Sequence, residues 1–413
     1  MNILVGYTDK LNGEIIIHGS KNAALPIISS CLLFNKKITL SNVSNIIDIE
    51  ELHKILELLN IRIVKENDKY TYIKEENIKN NLLFDSVAKI RASYYLWPCI
   101  LSSENSLKSF FPGGCNFQER PLDLHFKLFR KFGFNVTINN NIIEFKKLSK
   151  TKKYLNIHLE KKSFGVTVNA ILLSVKSNKI VKIYNYSKEP EILDLINFLN
   201  NAGTKIFIKK THLLIIGVKK LKETNYEIMQ DRIEAGSYIL MTLNYPNSVI
   251  KMKYKPYEYL KNVIETFEAA GGKFSFKNDY MIFESPNCIK GINLTCDTYP
   301  NFPTDLQQIL CSSLLNTNSV ITDLVYPNRV SHISELKKLN ADINFIDNKI
   351  HIKPSVLKNN SLNGIDLRGN FSLIVASGKI KENTIIYNID NLLRGYYDVF
   401  CNFRKIGLKI EII

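Results

Sequence analysis

Six times along the chain an amphipathic helix runs into a Gly or Asn, and an alternating strand follows. The six instances are LELLNIRIV at Asn60, FRKFGFNVTI at Gly133, LNNAGTKIFI at Gly203, FEAAGGKFSF at Gly271, LKKLNADINF at Asn340 and FRKIGLKIEI at Gly407. Gly and Asn accept the left-handed backbone that closes a helix, so each switch from helix to strand has a local cause. The turn residues lie roughly 70 positions apart, well beyond the period of a solenoid repeat. Each unit is therefore a mixed module whose helices cover sheet faces. The segments NVTINNNIIEF around Asn140 and FSFKNDYMIF around Asn278 read as hairpins with short polar turns.

Six such units exceed what one core usually accommodates, so two domains of three units each are expected. The break falls between the third and fourth turn residues, with the polar stretch Lys219 to Arg232 as the hinge. Each domain would bury its helices inside a ring of sheets, and the cleft between domains is the expected ligand site. The 413 residues, 45% of them hydrophobic, supply ample core for this α/β arrangement.

The opening MNILVGYTDKLNGEIIIHG has no basic segment followed by an apolar core and a small-residue cleavage site. The apolar stretch from Ala23 to Phe34 is interrupted by Pro26, Ser29 and Ser30, too short and broken to span a bilayer. A soluble, cytoplasmic protein with no membrane partner is expected. The seven cysteines (Cys31, Cys99, Cys115, Cys288, Cys296, Cys311 and Cys401) form no C-x-x-C pair and have no histidine at zinc-finger spacing. No metal and no cofactor is expected. The net charge of +16 accompanies a general abundance of Lys, Asn and Ile, so it does not argue for a nucleic-acid partner.

Chemistry concentrates in FFPGGCNFQERPLDLH, from Phe110 to His125. Pro112, Gly113 and Gly114 break regular structure, which places Cys115 on a loop instead of in a core. Arg120 follows five residues later, and a nearby cation eases loss of a thiol proton. Pro121 suits the first turn of a helix starting about Leu122. A second cluster is HGSKNAALP, where Gly19 and Ser20 can start a helix whose free amides, with Lys21, make an anion site.

Together GSKNAALP, RAS at Arg91 to Ser93 and PGGC-x4-RP-x-DLH closely resemble the UDP-N-acetylglucosamine 1-carboxyvinyltransferases, the enolpyruvyl transferases that open peptidoglycan synthesis. The resemblance runs nearly end to end, through KSFGVTVNAILLSV, KEPEILDLINFL, QDRIEAGSY, FPTDLQQ, NRVSHISEL, DLRG and RGY, in family order. It implies a two-domain, inside-out α/β barrel fold of six units, three per domain. It also implies that the N-terminal strand joins the second domain, giving 21–228 and 1–20 plus 229–413 with the active site in the cleft between them.

The activity implied is transfer of the enolpyruvyl group of phosphoenolpyruvate to the 3′-hydroxyl of UDP-N-acetylglucosamine, with release of phosphate. By the same resemblance Cys115 is the acid that protonates the terminal carbon and the site of a covalent adduct, and Asp305 is the base. Lys21, Asn22, Arg120, Arg329, Arg368 and Arg394 would meet phosphoenolpyruvate. Arg91, Arg120, Pro121, Leu122, Asp123, Leu124, Lys161, Lys162, Ser163, Phe164, Asp305 and Val325 would line the sugar-nucleotide site. So many cations suit a substrate pair bearing phosphate, carboxylate and diphosphate. Asp48, Glu189, Asp231 and Asp366 also occupy family-like positions but read as solvated helix caps. His125 lies on the helix after the loop, near no chemistry that the sequence names.

The chain departs from the family pattern at Gln118, where Gly is usual, near Tyr95 and at Trp97, where Trp and Gly are usual, and at Pro327, where Glu is usual. Two other readings remain: an enzyme of the 5-enolpyruvylshikimate-3-phosphate synthase type, which lacks the PGGC loop, and a basic nucleic-acid-binding protein. The second leaves the ordered blocks without an explanation.

Overall fold

The structure, a computed structural model, describes residues 1–75, 78–113, 122–148 and 153–413. The described chain forms two compact units, one of Gly19–Met229 and the other of Met1–His18 with Gln230–Ile413. Each unit contains three four-stranded sheets, and all six sheets share one pattern. Two neighbouring strands run parallel, and the remaining two complete the sheet with antiparallel pairings, as in Tyr154–His158, Ile180–Tyr184, His212–Ile216 and Lys205–Ile208.

The sixfold reading of the sequence holds at every turn. Amphipathic helices end at Leu58, Lys131, Asn201, Ala269, Lys338 and Lys405, and each turn residue stands two positions beyond. All six have positive φ, from 65° at Asn340 to 100° at Gly271. The amide that follows the turn residue reaches back to the carbonyl five positions earlier at Thr204, Gly272, Ala341 and Leu408, satisfying groups that a helix end leaves open. Hairpins follow at Asn140 and Asn278 as the alternation predicts.

A second set of helices is buried on all sides and carries no exposed polar stripe for a periodicity argument to find. These are Lys21–Ser29, Leu96–Leu101 and Phe164–Val175 in one unit, and Arg232–Leu243, Gln307–Ser313 and Leu367–Ser377 in the other. Beyond its first two residues each is buried, so it forms the interior, with the sheets and amphipathic helices around it. Two separate hydrophobic cores result, one per unit.

Strands distant in sequence close both units. Thr224–Glu227 pairs in parallel with Lys37–Ser41, which ends the Gly19–Met229 unit where it began. In the other unit Asn12–Ile15 pairs with Val249–Met252, and Ile3–Val5 lies between Thr384–Tyr387 and Ile410–Ile412. The chain crosses between units at 18–19 and at 229–230.

Candidate active site

Several of the residues singled out by sequence stand at the heads of the buried helices. Lys21 and Asn22 open Lys21–Ser29, whose Ser20 side chain accepts from the Ala23 amide. Arg91 opens the 3-10 turn Arg91–Tyr95 that leads into Leu96–Leu101. Ser163 caps Phe164–Val175, with exposed Lys161 and Lys162 just before it and half-buried Phe164 as its first residue. In the other unit Asp305 lies in the turn Thr304–Leu306 that precedes Gln307–Ser313, and Arg368 is the second residue of Leu367–Ser377. Buried helices cannot carry charge along their length, so charged groups are confined to their first turns.

Asp305 is the centre of the most developed cluster. Its carboxylate accepts from Arg329 Nη1 at 2.7 Å and lies 3.9 Å from Arg368 Nη2. Arg329 also donates to the Thr304 carbonyl at 2.8 Å, so it spans the turn that carries Asp305. Both guanidiniums are nearly buried, whereas Asp305 keeps about a quarter of its side chain (27%) open. Burial by itself would weaken the hold of Arg329 on its proton, but the Asp305 carboxylate outweighs it and keeps the guanidinium charged. Asp305 is therefore an ionised acceptor with one accessible edge.

The scaffold beneath this cluster was not legible in sequence. Buried Asp323, at the end of strand Ser319–Asp323, accepts from Thr304 Oγ1 at 2.5 Å and from the Val325 and Tyr326 amides at 2.9 and 2.8 Å. It joins the Asp305 turn to the loop of Val325 and Arg329. Asp366 caps the Arg368 and Gly369 amides and accepts from Gln308 and Ser331. Asp231 caps Arg232–Leu243 in the same way. These aspartates are caps, as expected, but Asp231 is buried and Asp366 half-buried rather than solvated. Glu189 precedes Pro190–Asn201 without a capping bond from its side chain.

His332, beside this cluster, is fully buried, and neither ring nitrogen finds a partner among the described residues. Burial, with the opposed charges of Asp366 and Arg329 largely offsetting each other, holds its pKa down at about 4. Arg394 ends the turn Ile389–Arg394 and is half-buried.

In the Gly19–Met229 unit Lys21 Nζ meets the Asp48 carboxylate at 2.6 Å, and Asp48 is buried in the first turn of Ile47–Leu58. The expectation of a solvated cap fails here because the carboxylate's partner is a lysine across the core. His125 is also corrected. It is buried, bonded to Asn169 Nδ2 at 3.0 Å and packed on Tyr94 at 4.6 Å, while Arg91 lies over the same Tyr94 at 5.6 Å. The ring thus supports a candidate cation, and burial followed by the Arg91 charge holds its pKa at about 3. Leu122 is buried before Asp123–Lys131, with Asp123 exposed and Leu124 half-buried.

Trp97 is fully buried among Phe126, Phe129 and Phe145, and its indole donates to Ser109 Oγ at 2.9 Å. The departure from the family pattern there is a core aromatic with its polar atom satisfied. Cys115, Arg120 and Pro121, and the departure at Gln118, lie outside the described residues. Of the other cysteines, Cys31, Cys99, Cys296 and Cys311 are buried, and burial pushes each thiol pKa up; Cys288 is exposed and Cys401 half-exposed.

Comparison with known proteins identifies the family. Residues 5–403 match the EPSP synthase (3-phosphoshikimate 1-carboxyvinyltransferase) family. A UDP-N-acetylglucosamine 1-carboxyvinyltransferase of Streptococcus pneumoniae is 33% identical over 408 residues, covering 98% of this chain and 97% of the relative. UDP-N-acetylglucosamine 1-carboxyvinyltransferase 2 of Streptococcus mutans is 31% identical over 416 residues, covering 100% and 99%. Among solved structures, the enolpyruvyl transferase NikO from Streptomyces tendae shares the fold with a TM-score of 0.89 at 16% identity, over 99% of this chain and 98% of that one. EPSP synthase from Acinetobacter baumannii follows with 0.74 at 13% identity, over 99% of each chain. The chain belongs to the EPSP synthase family of enolpyruvyl transferases and, within it, to the UDP-N-acetylglucosamine 1-carboxyvinyltransferases.

Proposed function

We infer that this chain transfers the enolpyruvyl group of phosphoenolpyruvate to the 3′-hydroxyl of UDP-N-acetylglucosamine and releases phosphate, and that groups from both units serve this one reaction. The observation that carries the reading is Asp305, ionised between Arg329 and Arg368, in a chain whose full-length relatives bear the name of that activity. The double bond of phosphoenolpyruvate takes a proton at its terminal carbon from Cys115, leaving the adjacent carbon electron-poor. The sugar hydroxyl attacks there while Asp305 takes its proton, giving a tetrahedral ketal. Loss of a proton from the methyl carbon restores the double bond as the carbon–oxygen bond to phosphate breaks.

A carboxylate held between guanidiniums is a weak base, but it is sufficient because the hydroxyl proton becomes acidic only as the new bond forms. Lys21, Asn22, Arg120, Arg329, Arg368 and Arg394 offset the charge of phosphoenolpyruvate. Arg91, Arg120 to Leu124, Lys161 to Phe164, Asp305 and Val325 hold the sugar nucleotide. On this reading the enzyme works in the cytoplasm at the first committed step of peptidoglycan synthesis, and so bears on cell shape and division.

The test is phosphate release from phosphoenolpyruvate with each acceptor in turn. Turnover with UDP-N-acetylglucosamine and none with shikimate 3-phosphate is expected; the reverse overturns the assignment. The epoxide fosfomycin should add to Cys115. Peptide mapping that finds the adduct on exposed Cys288 or on Cys401 instead would remove Cys115 from the site.

A further inference from the structure

Arg368 lies 3.9 Å from the Asp305 carboxylate and is also held by a group without charge. Its guanidinium carbon lies 4.8 Å from the centroid of the Tyr396 ring, a cation–π contact. Phe371 packs on the same ring, with centroids 4.9 Å apart. The Tyr396 hydroxyl is 2.7 Å from Ser237 Oγ on the buried helix Arg232–Leu243. Ser237 has a single hydroxyl hydrogen, and its oxygen sits 2.7 Å from the Ile233 carbonyl, which can only accept. Ser237 therefore donates to Ile233, and Tyr396 must donate to Ser237. That ordering ties the ring that carries the guanidinium to the buried helix.

The phenol is buried, and burial above all pushes its pKa up to about 12, so it stays neutral. A carboxylate in its place would orient the guanidinium equally well but would pair with its charge. Arg368 Nη1 is buried and has no acceptor among the described residues, while Nη2 lies 3.9 Å from Asp305.

We propose that Tyr396, its hydroxyl fixed by Ser237, is a positioning residue that aims Arg368 at an anionic oxygen of phosphoenolpyruvate while leaving its charge available. The proposal rests on the phosphoenolpyruvate reading above. Tyr396→Phe keeps the ring under the guanidinium and removes only the oxygen; Ser237→Ala leaves the oxygen but frees it to rotate.

The experiment measures initial rates against phosphoenolpyruvate at saturating UDP-N-acetylglucosamine for the parent, Tyr396→Phe, Ser237→Ala and the double variant, with Tm for each. Tyr396→Phe should raise KM for phosphoenolpyruvate roughly tenfold and change kcat less, because the ring beneath the guanidinium loses the bond that holds it. Ser237→Ala should raise it about threefold, and the double variant should be no worse than Tyr396→Phe, because both act through one oxygen. Unchanged KM in both active single variants, or effects that multiply in the double variant, would overturn the proposal. So would reduced kcat at constant KM alongside a lower Tm, the pattern of a plain core residue. If the parent itself releases no phosphate, the enzymatic reading fails instead.

Discussion

The two units hold their candidate cations in different ways. In the Gly19–Met229 unit Lys21, a flexible amine, meets the Asp48 carboxylate directly at 2.6 Å. In the other unit two planar guanidiniums, each nearly buried, converge on the single carboxylate of Asp305. A guanidinium has a fixed fork that suits a set geometry, whereas a lysine amine is a point charge on a movable stem. The difference suggests a rigid anion cradle in one unit and an adjustable contact in the other.

The largest effect that would test this contrast is at Asp305. Asp305→Ala should lower kcat/KM by about a thousandfold or more, as loss of a catalytic base does. Its fold should survive, since one edge of the side chain is already open to solvent. A loss below tenfold would demote Asp305 from base to support. Next comes the geometry of the cradle. Arg329→Lys retains the charge but cannot hold both Asp305 and the Thr304 carbonyl, and kcat/KM should fall about a hundredfold. Lys21→Arg should cost less, and if it costs more the rigid-versus-adjustable contrast is wrong.

Asp48→Asn should act mainly on stability. It breaks a largely buried pair, which full burial would make worth about 3–5 kcal/mol, reduced here to about 2 kcal/mol because Lys21 keeps some solvent. The denaturant midpoint measures this; an unchanged midpoint would mean that the pair contributes nothing to the fold.

Acid tests a feature in which the units are alike, for each buries a neutral histidine. His125 and His332 have folded pKa values near 3 and 4, below the ordinary value of 6.5. Unfolding below pH 6.5 lets each take up a proton. Their stabilisation is thus complete above that pH and is lost as pH falls toward the folded values. The slope is about 1.4 kcal/mol per pH unit for each proton bound on unfolding. Equilibrium unfolding between pH 7 and 4 should show it, and His332→Phe should flatten part of it. A slope that the substitution leaves unchanged would assign the acid sensitivity to other groups.

The repeat shows how much of the molecule could be read in advance. Asn60, Gly133, Gly203, Gly271, Asn340 and Gly407 were legible because a left-handed turn depends on one residue and its neighbours. The amphipathic helices before them were legible for the same reason. Apart from Lys21–Ser29, whose Ser20 cap was read in advance, the buried helices were not, because a helix buried on all sides has no polar stripe to detect. His125 and Asp48 were misjudged from position alone, since their environment comes from Tyr94, Asn169 and Lys21, remote in sequence or across the core.

By itself, then, the sequence determined where helices stop, where hairpins turn and that six modules are present, all matters settled within a few residues of backbone preference. Only the tertiary structure decided which side chains meet. Strand Ile3–Val5 lies between two strands near the opposite end of the chain. Arg329, 24 positions away, closes on Asp305, and Ser237 reaches Tyr396 across 159 residues. Such meetings depend on strand pairing and on burying whole helix faces, which are properties of the closed sheets and the core rather than of any local stretch.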